Sequence, residues 1–251
     1  MKKFLFVDLD DTLFQTPGKC IDEKDLQPAA YLKDGSVCSY STLRQRAFFE
    51  LMDREMTLIP TTARNRDALS RVGLAFSSYA IIDYGGIVLT PDGVPDVEWL
   101  DLMRVDMGLA LDGLKEVIDV IDRFSASVGL KGRARLIEDY ATPFYIVVKD
   151  PDKQAERLAL IECEALASWI VSETGQNFYI HRNGNNLAVL PKTLNKARAV
   201  HHLRQRLQAE HGEIMTLGMG DSKSDARFMA ACDYAIVPSG TQLSAFTVAA
   251  L

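Results

Sequence analysis

The sequence predicts an α/β fold, with a core built on a parallel sheet and interrupted by an inserted α+β unit. Short apolar runs alternate with helix-like segments over residues 1–84, and the same alternation returns over residues 190–251. This pattern is typical of a parallel sheet with helices on both faces. Over residues 85–189, strands are instead bunched beside long helices, so this stretch is predicted to form a separate domain.

The first predicted element is a buried strand over residues 4–7, because its apolar run is too short for a helix and rich in strand-favouring residues. The dipeptide Asp34-Gly35 predicts a small hairpin. The remaining elements of this segment are predicted from the spacing of apolar residues: helices over 42–54 and 66–72, and strands over 56–60 and 79–83.

The insertion and the last segment are interpreted in the same way. In the insertion we predict a hairpin at Pro91-Asp92-Gly93, then helices over 98–127 and 153–173, and strands over 133–138, 144–149, 177–181 and 186–190. The last segment is predicted to contain helices over 195–208 and 225–231, and strands over 214–219 and 234–237. Trp99 and Trp169 lie in apolar helical patterns and are expected in the core, whereas the His201-His202 pair is expected to be solvated.

Composition excludes several classes of protein. The chain has 251 residues, enough for one large domain or two modest ones, and a net charge of −6, which argues against a broad nucleic-acid-binding surface. Asp8 interrupts the apolar stretch near the N-terminus, so neither a signal peptide nor a membrane span is predicted. The four cysteines show no pairing or metal-ligand spacing and are expected to be free thiols. We therefore expect a cytoplasmic protein without nucleic-acid or membrane partners, and make no prediction of its oligomeric state.

Two carboxylates, Asp8 and Asp10, follow the first strand at its carboxyl end. Because side chains alternate along a strand, these acids are expected to point the same way. Their repulsion and the cost of desolvating them are both relieved by a bound cation, so the pair indicates a metal site. A strand that runs into an acidic turn, with Asp11 and Thr12 as turn or cap residues, explains the pattern equally well.

Two further places bring polar groups to predicted strand ends, where open α/β folds bind ligands. In Thr61-Thr62-Ala63-Arg64, a hydroxyl just before a helix suits an anion, although a helix N-cap is the simpler role for Thr62 or Asn65. Lys196 lies in the first turn of a helix, where a cation opposes the helix dipole unless an anion is nearby. A solvated lysine is the alternative.

A fourth place is the turn over residues 218–225, in which glycines precede Asp221 and Asp225. Glycine allows a tight turn and close approach of the backbone. Asp221 is expected to join Asp8 and Asp10 around one hard cation, for which carboxylates are suitable ligands. A solvated acidic loop explains the same residues.

Four short motifs of this sequence together resemble those of the haloacid dehalogenase-like (HAD) hydrolase superfamily. They are Asp8-x-Asp10-x-Thr12, Thr62-Ala63-Arg64, Lys196 and Gly220-Asp221-x-x-x-Asp225. The similarity is to its subfamily IIB, the Cof-type and sucrose-phosphatase-like group. It covers residues 1–84 and 190–251 by motif, and the insertion by position and pattern. The resemblance implies a Rossmann-like core with an inserted C2-type cap domain.

This sequence departs from the group's pattern in places. Ala63 replaces a glycine, Ser224 stands where an asparagine is common, and Tyr84-Gly85-Gly86 stands where an Asn-Gly pair is common. The departures leave every catalytic group in place.

The resemblance also implies roles for single residues. Asp8 matches the nucleophile and Asp10 the general acid/base. Lys196 and Thr62 match the groups that hold and neutralise the phosphoryl group. Thr61 is the less favoured alternative to Thr62.

Mg²⁺ is implied as the cofactor. Its ligands would be Asp8, the backbone carbonyl of Asp10, and Asp221, with Asp225 in support.

The hypothesis that follows is a magnesium-dependent phosphatase acting on a small phosphorylated metabolite, such as a sugar phosphate, through an aspartyl-phosphate. Arg64 is a candidate for contact with the phosphate. Arg182 is a candidate substrate-binding residue in the cap, although a surface turn explains its polar surroundings as well. A phosphomutase of the same superfamily and a non-catalytic ligand-binding member are the alternatives.

Overall fold

The structure is a computed structural model that describes residues 1–20 and 24–250. The chain divides into two compact units. The first contains residues 1–100 together with residue 195 onwards, and the second contains residues 101–194. The second unit is therefore inserted into the first, as the sequence predicts.

The first part of the chain follows the predicted alternation of strands and helices. Its elements are β1 (Lys2–Val7), β2 (Gln27–Tyr31), β3 (Val37–Ser41), α1 (Leu43–Glu55), β4 (Thr57–Pro60), α2 (Arg66–Leu69), β5 (Ala80–Ile82) and β6 (Ile87–Leu89). Strands β2 and β3 form the antiparallel hairpin expected around Asp34-Gly35.

The second unit is built on an antiparallel sheet. Its helices and strands are α3 (Val97–Ser127, which begins in the first unit), β7 (Ala134–Asp139), β8 (Thr142–Val148), α4 (Ala155–Leu160), α5 (Ala167–Trp169), β9 (Phe178–Asn183) and β10 (Asn186–Pro191). The strand order is β7-β8-β10-β9. Leu114, Ile146, Trp169 and Val189 belong to its buried core. The single helix predicted over 153–173 is instead interrupted by a π-helical segment at Ile161–Leu166.

The chain then returns to the first unit with α6 (Lys196–His211), β11 (Ile214–Met219), α7 (Lys223–Met229), β12 (Tyr234–Ile236) and α8 (Gln242–Ala249). The last helix was not predicted. The central sheet has the order β12-β11-β1-β4, and its neighbouring strands are parallel. Apolar residues of β1 and β4, among them Leu5, Val7 and Leu58, lie in the buried core of this unit.

The compact units do not have the predicted boundaries at residues 85 and 189. Residues 85–100 lie in the first unit, because β6 pairs antiparallel with β5. The turn at Pro91-Asp92-Gly93 is present, with the Gly93 N–H donating to the Thr90 carbonyl at 2.8 Å, but it does not move β6 into the insertion. Residues 190–194 lie in the second unit, because β10 pairs with β9 as far as Pro191.

The burial and contacts of single side chains can be compared with the predictions. Trp99 and Trp169 are 3% and 5% exposed, as predicted for core residues. The prediction of a solvated His202 is wrong, because its ring lies 5.0 Å from the Trp99 ring and its Nε2 lies 3.3 Å from Asp96 Oδ2. Cys20, Cys38, Cys163 and Cys232 are free thiols. Among the described residues, no helix combines the length and the apolar character needed to cross a membrane.

Helix α1 begins with a reciprocal cap that offers a test of local stability. Thr42 Oγ1 accepts from the Gln45 N–H at 3.2 Å, and the Gln45 side chain accepts from the Thr42 N–H at 2.9 Å. We expect Thr42→Ala to lower the free energy of unfolding by about 1 kcal/mol, because a backbone donor loses its partner. Urea unfolding followed by circular dichroism measures the change. Thr42→Ser keeps the cap and is the control, and equal stability of Thr42→Ala and wild type would contradict the prediction.

Candidate active site

The candidate residues meet because three strands of the parallel sheet end in register. Val7 of β1 lies opposite Met219 of β11 and Pro60 of β4. One residue further along, the Asp8 N–H donates to the Met219 carbonyl at 2.9 Å, and the Thr61 N–H donates to the Val7 carbonyl at 2.8 Å. The segments that follow the three strands therefore leave the sheet side by side at its carboxyl edge, where α/β folds bind ligands.

Asp8, Lys196 and Asp225 form a buried cluster of charges. The Lys196 ammonium donates to Asp8 Oδ1 at 2.6 Å and to Asp225 Oδ1 at 2.7 Å. The side chains of Lys196 and Asp8 are 5% and 8% exposed, and that of Asp225 is 1% exposed. Burial by itself lowers the pKa of Lys196, but Asp225 and Asp8 together raise it above its ordinary value. Lys196 therefore carries its charge inside the protein.

The turn before α7 fixes Asp225. Its Oδ2 accepts hydrogen bonds from the Ser222 N–H at 3.0 Å and from the Ser222 hydroxyl at 2.5 Å. Gly220 allows this approach, because a Cβ there would lie 2.4 Å from the Asp225 Cβ. Burial raises the pKa of Asp225, but Lys196 and the Ser222 hydrogen bonds bring it below its ordinary value.

Asp8, Asp221 and Asp225 form an acidic cluster suited to a metal ion. Each is buried, and each offers a carboxylate oxygen within 4.8 Å of the others. Burial raises the pKa of Asp8 well above its ordinary value; Lys196 opposes this shift, and Asp225 and Asp221 add to it. Burial and Asp225 likewise raise the pKa of Asp221 to about 7.

A divalent cation fits this charge balance. The acidic cluster has three carboxylates, and the Lys196 ammonium balances one of their negative charges. Two formal negative charges therefore remain, and their repulsion adds to the effect of burial, which is the main cause of the raised pKa values of Asp8 and Asp221. Carboxylates are ligands that Mg²⁺ accepts, so the residues present fit the ion that the sequence implies.

The Asp10 carboxylate lies outside the acidic cluster, so the expectation that residues 8, 10 and 221 share a cation through their side chains is wrong for Asp10. Strand alternation does not extend to it, because β1 ends at Val7 and the chain turns at Asp11, where φ is 63°. The predicted metal contact through the Asp10 backbone carbonyl stays a prediction.

Instead, Arg64 holds Asp10 in a two-point ion pair. Nε of Arg64 donates to Asp10 Oδ2 at 2.7 Å, and Nη2 donates to Oδ1 at 2.8 Å. The guanidinium also lies over the Phe14 ring, 5.2 Å from its centroid. Burial alone lowers the pKa of Arg64, but Asp10 raises it overall. The fork that was expected to contact a phosphate is thus occupied by Asp10.

Of the two threonines after β4, Thr62 is better suited to donate to a ligand. The Thr61 hydroxyl donates to the Ile59 carbonyl at 3.2 Å. Thr62 Oγ1 accepts from the Arg64 N–H at 3.1 Å, which leaves the hydroxyl proton of this buried residue for another acceptor. Its predicted contact with a phosphoryl group stays a prediction.

Two residues near the site were missed in the sequence. Ser222 supports Asp225, and the spacing Ser-x-x-Asp of a capping box was available as a signal. Lys19 pairs with Asp11 at 2.5 Å and lowers the pKa of Asp221 against the effect of burial. Nothing in the sequence pattern pointed to Lys19, because its contact depends on the path of the chain after the first motif.

Arg182, the candidate predicted in the insertion, lies on β9 of the second unit. Its Nε donates to Glu162 Oε2 at 2.5 Å, and its side chain is 38% exposed. Its contact with substrate stays a prediction.

The comparison with protein families adds independent information. Residues 146–245 match the family model described as sucrose-6F-phosphate phosphohydrolase. The matched stretch includes Lys196, Asp221 and Asp225. A comparison with curated proteins finds no match.

Solved structures are similar over most of the chain. The sucrose-phosphatase from Synechocystis sp., solved with sucrose and phosphate, has a TM-score of 0.51 and 17% identity, covering 99% of this chain and 97% of that one. The C-terminal domain of C. albicans trehalose-6-phosphate phosphatase has a TM-score of 0.56 and 14% identity, covering 92% of this chain and 73% of that one. At these identities, the likeness shows the fold, a parallel-sheet core with an inserted α+β cap domain. The fold and the family match over residues 146–245 agree with the similarity to the haloacid dehalogenase-like hydrolases that the four motifs indicate.

Proposed function

We propose that this protein is a Mg²⁺-dependent phosphatase that hydrolyses a small sugar phosphate through an aspartyl-phosphate on Asp8. The observation that carries the proposal is the buried cluster in which Lys196 bridges Asp8 and Asp225 beside Asp221. Burying several charges is costly, and groups with strongly shifted pKa values in a cleft are typical of functional sites. The cluster is therefore better explained by chemistry than by stability.

Asp8 is the proposed nucleophile. Lys196 holds its Oδ1 at 2.6 Å and so fixes the orientation of the carboxylate. An Asp8 oxygen forms a bond to phosphorus while the bond from phosphorus to the leaving alkoxide breaks. Lys196 and the Thr62 hydroxyl then face the charge on the phosphoryl oxygens. Attack of water on phosphorus releases phosphate and restores the Asp8 carboxylate.

Asp10 is the proposed general acid and base. It gives a proton to the leaving alkoxide and takes one from the attacking water. In the structure both of its oxygens accept from Arg64, which fixes the orientation of the carboxylate. Arg64 is therefore proposed to orient Asp10 for proton transfer.

The acidic cluster is the proposed site of Mg²⁺, held by Asp8, Asp221 and Asp225. When bound, the ion supplies positive charge that favours the ionised form of Asp8 and attracts the phosphoryl oxygens. Phosphate monoesters resist uncatalysed hydrolysis so strongly that acid/base catalysis, worth about 10²–10⁴-fold, leaves most of the required acceleration to charge stabilisation.

A sugar phosphate is the proposed substrate class because of the comparisons. The family model is described by a sucrose phosphate, and the sucrose-phosphatase was solved with sucrose and phosphate. The second unit, residues 101–194, is proposed to be the cap that sets specificity, because it is inserted at the place in the sequence where the resemblance implies a cap. Arg182 is a candidate within it, provided that its pair with Glu162 opens.

The first prediction concerns activity and the covalent intermediate. With Mg²⁺ and without a bisphosphate activator, the protein should release inorganic phosphate from members of a sugar-phosphate panel. Asp8→Asn should release none, because it lacks the attacking carboxylate. Asp10→Asn should turn over about 10²–10⁴-fold more slowly, because formation of the aspartyl-phosphate loses its acid and hydrolysis loses its base. Wild-type protein quenched during turnover should carry one phosphoryl group, visible by mass spectrometry. A fully active Asp8→Asn, or an inert wild type, would exclude the proposal, and a need for a bisphosphate activator would favour a phosphomutase.

The second prediction concerns the metal. Isothermal titration should show Mg²⁺ binding to the wild type, and Asp221→Asn should weaken it by at least roughly tenfold, because one of three ligand charges is lost. Mg²⁺ should also raise the melting temperature of the wild type and not that of Asp221→Asn. Asp11→Asn is the matched control, since Asp11 pairs with Lys19 and lies outside the acidic cluster. Equal Mg²⁺ affinities of Asp221→Asn and Asp11→Asn would contradict the assignment.

The third prediction concerns Arg64. Arg64→Lys keeps the charge but loses the two-point contact with Asp10, so kcat should fall about tenfold or more. Arg71→Lys is the control, because Arg71 also pairs with an aspartate, Asp67, at 2.7 Å, away from the motif residues. Steady-state phosphate release measures both variants. An Arg64→Lys variant as active as Arg71→Lys would show that Arg64 does not orient Asp10.

A further inference from the structure

The turn between β5 and β6 has an unusual backbone that the proposed reaction does not use. Asp83, Tyr84 and Gly85 have φ angles of 50°, 56° and 98°. Residues other than glycine rarely adopt this left-handed region, and here two do so in succession. All three residues are buried. Such a conformation persists where the surrounding structure fixes it, and this is frequent at functional sites.

On one side, the turn is bonded to the segment that carries Thr62 and Arg64. The Asp83 N–H donates to the Arg64 carbonyl at 2.9 Å, and the Tyr84 N–H donates to the Thr62 carbonyl at 3.2 Å. The Thr62 N–H in turn donates to the Ile81 carbonyl at 2.8 Å. The backbone at Thr62 and Arg64 is therefore set by residues 81–84.

On the other side, the turn touches the first residues of α6. A Cβ on Gly85 would lie 2.6 Å from the Asn195 carbonyl oxygen and 2.9 Å from the Lys196 backbone nitrogen, closer than real Cβ atoms approach. The backbone that carries Lys196 thus rests directly on Gly85. Any side chain at this position must displace either the turn or the start of α6.

Trp99 holds the turn against the same helix. Its Nε1–H donates to the Gly85 carbonyl at 3.0 Å. Its ring lies 5.0 Å from the ring of His202 and 5.8 Å from the guanidinium of Arg198, and both of these residues are on α6. Trp99 therefore contacts Gly85 and α6 together.

We propose that the Asp83–Gly85 turn, held by Trp99, is a positioning element of the active site that sets the separation between Thr62, Arg64 and Lys196. Gly85 and Trp99 are then positioning residues, which touch the backbone of the catalytic segments and not the substrate. The inference rests on the proposed function, because it assigns the turn to the same site. It predicts that the geometry around Asp8 depends on residues absent from the four motifs.

The test substitutes Gly85→Ala and uses Gly35→Ala as the matched control. Gly35 has a φ of 82°, similar to that of Gly85, but nothing lies within 4 Å of a Cβ placed there. Both variants bear the strain of alanine in a left-handed conformation, whereas Gly85→Ala alone crowds Lys196. We expect Gly85→Ala to lower kcat roughly 10- to 100-fold with KM changed far less, because displacements of about 1 Å cost this much in rate. Gly35→Ala should keep the kcat and KM of the wild type.

Trp99→Phe is the second variant, and it decides the question if Gly85→Ala does not fold. It keeps an aromatic ring but removes the donor to Gly85, so kcat should fall several-fold with KM nearly constant. Crystal structures of the variants should show Lys196 Nζ displaced from Asp8 Oδ1, relative to the 2.6 Å contact described above. Folded variants with wild-type kcat, or an unchanged contact between Lys196 and Asp8, would overturn the inference. A wild type that releases no phosphate would refute the proposed function, and the contact in the crystal structures would still decide the positioning role.

Discussion

The buried Lys196 ammonium between Asp8 and Asp225 is the interaction on which the rest of the site depends. Its two partners come from distant parts of the chain, 188 and 29 residues away in sequence. The three groups can meet only because β1 and β11 are paired in register up to Val7 and Met219. Separating a buried charge from its partners is strongly destabilising, so the sheet, the first turn of α6 and the turn before α7 must be placed together.

The charges of the protein groups in this cluster do not balance, and a net negative charge remains. One ammonium satisfies part of the negative charge, and the pKa values of Asp8 and Asp221 rise as a result of burial and mutual repulsion. A phosphate ester adds further negative charge, so it would be repelled unless a cation were already bound. For the proposed phosphatase, charge balance therefore favours an order in which the cation binds before the substrate.

The sequence was informative where local patterns and strand ends determine the result. The buried strand before Asp8, the hairpin at Asp34-Gly35 and the strand before Gly220 were predicted, because apolar runs and turn residues act over a few positions. The boundaries of the insertion were not predicted from the sequence. Residues 85–100 belong to the first unit because β6 pairs with β5, and this pairing is a tertiary contact. The ion pair of Asp10 with Arg64 spans 54 residues and has no local signal either.

Two features without a local sequence signal lie next to residues proposed to be catalytic. Asp10 leaves the strand alternation to meet Arg64, and residues 83 and 84 adopt left-handed backbones beside the segments of Thr62 and Lys196. Natural sequences follow local preferences through most of a fold and depart from them where function requires a particular geometry. The Tyr84-Gly85-Gly86 departure is the informative case, because the residue it retains, Gly85, is the one whose backbone lies against the start of α6. The requirement at this turn is for the absence of a side chain, which a search for chemically reactive residues does not detect.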